Sequence, residues 1–335
     1  MKVFYRLFLL VVLSLLGMQV YAADYTIKYS HVVAPGTPKG RAADLFAELV
    51  NKHTNGRVKV EVFPNSQLYD DNKVLEAMRL SSSKTTGIMA APSLSKFVKF
   101  SQTLQAFDLP YLFGDIADVH KLVDSPLMDR LTTGLDKKGL HALTVWDNGM
   151  KVFSTKGDKP LRAVPADFTG KKFRIQSSNI AASMISHLGG TPQKLPFKEV
   201  YTALGQGVVD GQENAWSNIY SKKFHEVQDY ISVSDHSYLG YLVVVSDEFW
   251  KNLPDDIRKQ VTKALTEATD ANRKYAAEAD VGDRKKIEEE GFAKVVELSK
   301  AEKAAWRKAN EPVWSEFRDE IGGDLIDDIN KLLGR

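Results

Sequence analysis

An α/β fold in two lobes is what this sequence predicts, and three observations predict it. Strand-like and helix-like periods alternate along the chain, the 335 residues exceed the roughly 250 to 300 at which one hydrophobic core stops growing, and one late segment is helical for longer than a single lobe can cover. Tyr25, Ile27 and Tyr29 alternate with Thr26, Lys28 and Ser30, and Val58, Val60 and Val62 repeat the two-residue period of a strand. Between them, residues 42–53 put Leu45, Phe46, Leu49 and Val50 on one helical face and Asp44, Glu48 and Lys52 toward water. Helices at 72–80 and 116–122 and strands at 87–90 and 140–146 continue the exchange, and strands separated by helices imply parallel pairing.

A second set follows, with strands at 151–155 and 172–176 and helices at 179–188 and 196–204. The apolar run Tyr241-Leu242-Val243-Val244-Val245 comes after that set, so the chain is expected to cross between lobes more than once. The expected division is lobe I over 23–147, with 240–279 returning to it, and lobe II over 148–239, with 280–335 packing on it. Residues 255–290 hold no proline and one glycine, Gly282, while Ile257, Val261, Leu265, Ala268, Tyr275 and Ala279 recur at helical steps. Asp255 and Asp256 suit the positive end of a helix. Unbroken, the segment is a rod of about 54 Å that must touch both lobes; the alternative is two helices parted at Gly282. Trp306, Val313 and Trp314 mark tail helices that pack on a lobe.

Composition narrows the function. Lys and Arg number 45 against 43 Asp and Glu, and no basic stripe appears, so nucleic acid is not expected as a partner. Lys2 and Arg6 precede an apolar run at 7–16, and Val20-Tyr21-Ala22 places small residues where a signal peptidase reads. Residues 1–22 are therefore expected to be a cleaved secretory signal, too short in its apolar part to anchor a membrane. Loss of Lys2 and Arg6 takes the net charge from +2 to 0. The absence of cysteine excludes thiolate zinc sites and cysteine nucleophiles. None of the seven histidines forms an i, i+4 pair, and no metal or other cofactor is expected. There is no G-x-S-x-G elbow, P-loop or G-x-G-x-x-G, and His225-Glu226-Val227-Gln228-Asp229 lacks the second histidine of a zincin. The chain does not read as an enzyme.

Four stretches then carry a resemblance: Ser30-His31-Val32-Val33-Ala34 with Thr37-Pro38-Lys39-Gly40; Ala90-Ala91-Pro92-Ser93-Leu94-Ser95-Lys96-Phe97; Phe173-Arg174-Ile175-Gln176; and Val208-Val209-Asp210-Gly211-Gln212-Glu213-Asn214. Phe107 through Phe113 and Phe249 through Pro254 add to it. Over nearly the whole mature chain the sequence resembles the periplasmic substrate-binding component of tripartite ATP-independent periplasmic (TRAP) transporters, the DctP family. That resemblance implies a two-lobed periplasmic binding protein fold with mixed sheets, a hinge and a long helix spanning both lobes. It also implies a periplasmic, non-catalytic protein that hands its ligand to the small and large membrane permease subunits.

The APSLSKF and NGMK stretches resemble the branch that binds C4-dicarboxylates such as succinate, fumarate and malate. The alternatives are another organic acid (sialic, keto or aromatic) or a sensory protein that presents its ligand to a receptor. By the resemblance, Arg174 grips a carboxylate in a bidentate ion pair and Asn214 bonds nearby. Lys151 stands where sialic-acid binders carry an arginine. A planar guanidinium matches a carboxylate in a way that lysine does not. Lys39, at the start of the first helix and on the opposite lobe, is the candidate for the far carboxylate. Ser93 either donates into the cleft or caps the helical stretch after it. Gln176 and Tyr241 match cleft positions in related binders, and Phe197 and Trp216 wall the pocket or belong to the core.

Overall fold

The computed structural model describes residues 23–335; the expected signal sequence at 1–22 lies outside the described residues. In chain order the elements are β1 (Tyr25–Ser30), α1 (Pro38–His53), β2 (Val58–Phe63), α2 (Asp71–Arg79), β3 (Thr86–Ala90), two 3-10 segments (Leu94–Lys99 and Thr103–Asp108), α3 (Ile116–Val123), α4 (Leu127–Thr132) and β4 (Leu140–Met150). There follow β5 (Val152–Thr155), β6 (Lys172–Ile175), α5 (Asn179–His187), β7 (Thr191–Lys194), α6 (Val200–Gly205), β8 (Gly211–Asn214), α7 (Trp216–Ser221) and β9 (Tyr230–Val233). The chain ends with β10 (Tyr238–Ser246), α8 (Asp247–Asn252), α9 (Asp255–Glu290), β11 (Lys294–Glu297), α10 (Lys300–Ala309), α11 (Glu311–Ile321) and α12 (Gly323–Leu332).

Two sheets organise these elements, in the orders β2-β1-β3-β10-β4 and β11-β9-β5-β8-β6-β7. The chain passes from the first to the second between β4 and β5, returns between β9 and β10, and crosses again after α9. β1 pairs in parallel with β2 and β3, as expected, but β10 runs antiparallel to β3 and β4. The second sheet is mixed too, because β5 runs antiparallel to β8 and β9 while β6 is parallel to β7 and β8. The expectation of parallel pairing is thus corrected at β5 and β10. Both are buried throughout, so helices or sheet cover both their faces and they lack the polar–apolar alternation that marks an antiparallel strand with one face in water.

The first sheet is packed on both faces. Ile27, Tyr29, Met89, Val243 and Val245 meet Phe46 of α1 and Ile257, Val261 and Leu265 of α9. Ala90, Leu242 and Val244 meet the opposite layer, built from the helical segments between 74 and 135 and from α11 and α12. Here the expected placement of 280–335 on lobe II is corrected for α11 and α12, while β11 and α10 do lie with the second sheet. Val313 and Ile321 of α11 and Leu325 and Ile329 of α12 belong to the core beneath the first sheet. The stripe Val313, Phe317, Ile321 recurs every four residues, and the segment holding Leu104, Phe107 and Leu109 supplies the apolar cover it needs. Trp306 of α10 instead packs edge-on to Phe153 and Phe168 under the second sheet.

Helix α1 begins at Pro38, earlier than the periodicity indicated, because Thr37 caps it through a hydrogen bond from the Gly40 amide and Pro38 fits its first turn. The 36-residue α9 is one continuous helix and passes through Gly282. It lies on the first core from Ile257 to Ala268 and reaches the second at Ile287. Midway, Asn272 Oδ1 accepts from the Asp147 amide at 2.6 Å while its Nδ2 donates to the Asp147 carbonyl at 3.2 Å. Trp146 Nε1 donates to Thr269 Oγ1 at 2.9 Å. These bonds fix the end of β4, where the chain leaves the first sheet, to the helix that serves both.

A Cβ on Gly282 would meet nothing within 4 Å among the described residues, and a glycine in a helix interior costs about 0.5–1 kcal/mol relative to alanine. Gly282→Ala is expected to raise stability by about that amount, read as a shift of the urea midpoint at constant slope; a lower midpoint would mean that the helix needs a weak point there.

Candidate functional site

A narrow cleft runs between the two sheets, with about 550 Å³ of space between its walls when the open mouth is counted. Arg174, Gln176, Phe197 and Asn218 line it from the second-sheet side. Val32, Val33, Asp71, Lys96 and Tyr241 line it from the first. The strand ends β1, β3 and β6 deliver these groups, which is where α/β sheets present ligand sites. Side chains bridge the cleft: Ser93 Oγ donates to Gln176 Oε1 at 3.2 Å, Lys96 Nζ to Ser177 Oγ at 3.0 Å, and Lys222 Nζ to Asn65 Oδ1 at 3.0 Å.

Arg174 dominates the site. Its side chain is 1% exposed, and Nε and Nη2 both donate to the Leu195 carbonyl, at 3.1 and 2.9 Å. That carbonyl occupies one edge of the guanidinium and fixes its plane. Nη1 is buried and makes no hydrogen bond among the described residues, so the Nη1–Nη2 edge is left with donors in the geometry that suits a carboxylate. Burial lowers the Arg174 pKa to about 10, opposed by the negative charges of Glu213 and Asp71.

Lys39 is buried on the other side. Its ammonium donates to the Ala91 carbonyl at 2.8 Å and stands 3.5 Å above the centre of the Tyr241 ring, a close cation–π contact. Burial lowers its pKa to about 8, with Asp71 opposing. Lys39 does not itself line the cleft; Tyr241, beneath it, does. Lys96 is also lowered, by burial first. The Tyr241 hydroxyl, raised by burial, accepts from Asn148 Nδ2 at 2.9 Å and Asn218 Nδ2 at 3.3 Å. Ser217 donates in turn to Asn148.

Other expected site residues lie elsewhere. Lys151 is not in the cleft wall; its ammonium is 2.8 Å from Glu213 Oε2, with both side chains almost wholly buried. The reason is register: β5 pairs with β8 so that Phe153 faces Glu213 and Val152 faces Asn214, which brings the lysine to a carboxylate on the neighbouring strand. Burial would raise the Glu213 carboxyl, but Lys151 and His236 together hold it below its ordinary range. Asn214 is one layer behind the wall. It donates to Gln212 Oε1 at 3.2 Å and accepts from Asn218 Nδ2 at 2.9 Å, and Asn218 is the residue that reaches the cleft. Ser93 makes no capping bond to the segment after it and is committed to Gln176. Phe197 walls the cleft, whereas Trp216 belongs to the core with Val152 and Ile219. His225, of the zincin-like stretch, bonds Glu290 at 2.7 Å.

The sequence reading missed His31, Asp71, Lys96, Leu195 and Asn218 as members or neighbours of the site. His31 and Lys96 fall inside stretches that carried the resemblance, and Asn218 lies four residues past Asn214, one helical turn on. Asp71 and Leu195 had no local signal.

The region 29–320 matches the model of the bacterial extracellular solute-binding protein family 7. Over 312 residues the chain is 43% identical to the C4-dicarboxylate-binding periplasmic protein DctP of Rhodobacter capsulatus, covering 93% of this chain and 92% of that one. A TRAP periplasmic solute-binding protein of Shewanella oneidensis, solved with bound succinate, superposes with a TM-score of 0.88 at 43% identity, over 93% of this chain and all of that one. One from Pseudomonas aeruginosa with bound L-malate superposes at 0.82 and 36% identity, over 87% of this chain and 99% of that one.

Lys151→Met strands the Glu213 carboxylate in the interior, and removing one member of a buried pair costs about 3–5 kcal/mol. The urea midpoint of this variant is expected to fall accordingly. An unchanged midpoint would mean that Lys151 is free for another role.

Proposed function

The chain belongs to the bacterial extracellular solute-binding proteins of family 7, the DctP family of TRAP binding proteins, and on that premise we propose that it captures C4-dicarboxylates such as succinate and malate for uptake. It is a transport protein and not an enzyme. The observation that carries the ligand class is Arg174, a buried guanidinium whose plane is set by the Leu195 carbonyl and whose remaining edge is open to an anion. The likeness to proteins holding succinate and L-malate supports the same class. The cleft adds positive charge from Lys96, Lys222 and the buried Lys39, offset in part by Asp70 and Asp71, so a small dianion matches its field.

In this reading Arg174 takes one carboxylate, Asn218 and Tyr241 contact the middle of the ligand, held by Asn214 and Asn148, and Lys39 attracts the far carboxylate. Lobe I, 23–147 with 240–279, and lobe II, 148–239, close on the ligand. Ser93 with Gln176 and Lys96 with Ser177 then bind one lobe to the other. A ligand that touches both walls favours the closed form by its greater affinity for it. The closed protein is delivered to the small and large membrane subunits of a TRAP permease. The charged and apolar pattern of residues 1–22 supports export to the periplasm.

Arg174→Ala is expected to weaken succinate binding by about 3–5 kcal/mol, and Arg174→Lys to recover little of it, because charge without the planar fork does not restore two parallel bonds. Titration calorimetry decides; a dissociation constant unchanged by Arg174→Ala would remove the basis of the reading. Lys39 predicts a pH dependence. With a pKa lowered to about 8, its charge is present at neutral pH and lost as the pH rises through that value, while both ligand carboxylates stay ionised. Succinate affinity should therefore fall between pH 7 and 9.5, with protons taken up on binding above pH 8. Lys39→Met should bind more weakly at pH 7 and show a flat profile to pH 9. A sloping profile in that variant would assign the dependence to another group.

A further inference from the structure

At the joint between the lobes, away from the cleft, one carboxylate has no task in the reading above. Asp280 lies about two helical turns beyond Asn272 on α9, where the helix leaves the first core for the second. It presses on the end of β4, where the chain crosses to β5: a Cβ built on Gly149 would meet Asp280 Oδ1 at 3.0 Å. Gly149 has a φ of +152°, a conformation that residues with side chains rarely adopt. At the other crossing, from β9 to β10, Asp235 is in the left-handed region with a φ of 46°. Asp235, Val233, Trp216 and Asp280 wall one surface cavity. A rotation of one lobe against the other is absorbed by a few residues at such crossings. The Asp280 carboxylate touches the first crossing and shares a cavity with the second.

The cations around Asp280 are committed to other carboxylates, and it forms no ion pair among the described residues. On its own helix, Arg284 donates to Glu288 Oε1 at 2.9 Å and to Glu297 Oε1 of β11 at 2.6 Å, Lys285 faces Glu289, and Lys286 pairs with Asp283. Lys303 of α10 donates to Asp235 at 2.8 Å. Glu288 and Glu297 line the same cavity as further carboxylates. At the end of β4 and the start of β5, Asp147 is taken by His120 and Tyr238, and Lys151 by Glu213; from α7 the neighbour is the uncharged Trp216. A half-buried carboxylate beside a second one holds its proton more tightly. Burial first, and then Asp235, push the Asp280 pKa up to about 6, with Arg284 pulling the other way.

We infer that Asp280 is a proton-operated catch on the joint between the lobes: its neutral form favours the closed arrangement and its ionised form favours opening. The inference rests on the dicarboxylate reading above, in which a ligand closes the lobes, and adds a regulation to it. The cleft here is bridged by Ser93 with Gln176, Lys96 with Ser177 and Lys222 with Asn65, so this is the closed arrangement of that reading. In it an ionised Asp280 is short of water and close to Asp235. Turning either crossing away from the helix admits water and returns the group toward an ordinary carboxylate, near about 3.9. The closed form therefore binds more protons than the open one between that value and about 6. By linkage, closure gains as the pH falls through about 6 and loses that gain as the pH rises above it. A mildly acidic medium then tightens capture without any change in the groups that touch the ligand.

The test titrates the full mature chain and its Asp280→Asn variant with succinate by calorimetry at pH 7.5, 6 and 5. The ligand's own titration and that of the cleft residues are common to both proteins and cancel in the ratio of their affinities. That ratio, native over variant, is expected to rise about tenfold from pH 7.5 to pH 5. At pH 6, runs in buffers of different ionisation enthalpy are expected to show the native chain taking up about half a proton more than the variant on binding. A ratio that is flat with pH, or that falls toward pH 5, overturns the inference and leaves the dicarboxylate reading standing. If the native chain does not bind succinate, that reading falls and takes this inference with it. Should Asp280→Asn fail to fold, the carbon-13 carboxyl resonance of Asp280 in the native chain decides. A midpoint that moves up when succinate is added supports the catch, and a midpoint the same in free and loaded protein overturns it.

Discussion

Two hydrogen bonds from one guanidinium to one carbonyl oxygen organise this molecule's working surface. Leu195 presents its carbonyl to the Nε and Nη2 edge of Arg174, and in doing so it settles where the other edge points before any anion arrives. Carrying a charge into the interior is costly, and a neutral carbonyl answers only part of that cost. What remains is a deficit of negative charge at a fixed position and orientation. Preorganisation of this kind spares a ligand the cost of ordering its own site. Glu213 and Asp71 moderate the deficit through their charge, opposing the fall that burial imposes on the Arg174 pKa.

Around this centre the polar groups form a connected layer. Asn148 and Asn218 converge on the Tyr241 hydroxyl, Asn214 holds Asn218, and Gln212 holds Asn214 while donating to Ser154, which donates to Gln228 at 2.9 Å. Side chains so linked are hard to reorient singly, because moving one leaves its neighbours unsatisfied in a medium of low dielectric. The cleft wall near Tyr241 therefore behaves as one unit, reaching from the strand that leaves the first sheet to the interior of the second.

How much of this was legible beforehand depends on whether the signal was local. The helical steps of Ile257, Val261 and Leu265 declared α9 because periodicity is carried by near neighbours in sequence. The direction of β10 was not declared, since a strand buried on both faces looks the same read either way. Arg174, Gln176 and Tyr241 were placed in the cleft through family likeness, and all three line it. Lys151 was misplaced because its partner, Glu213, is 62 positions away and adjacent only through the pairing of β5 with β8. His31 shows the opposite case. It was read as part of a pattern, but its burial is a property of the folded chain alone.

The helix α9 carries a consequence for how the chain comes apart. Its first half completes the core of one sheet with Ile257, Val261 and Leu265, and Ile287 near its end enters the core of the other, while Asn272 is clasped to β4 between them. Cutting the polypeptide at any of the crossings between sheets would leave one half with an apolar wall missing and the other with a wall exposed. The lobes are thus not modules that could be excised, exchanged or shuffled as separate genes; the molecule is inherited whole, and heat or denaturant should dismantle it in a single cooperative event.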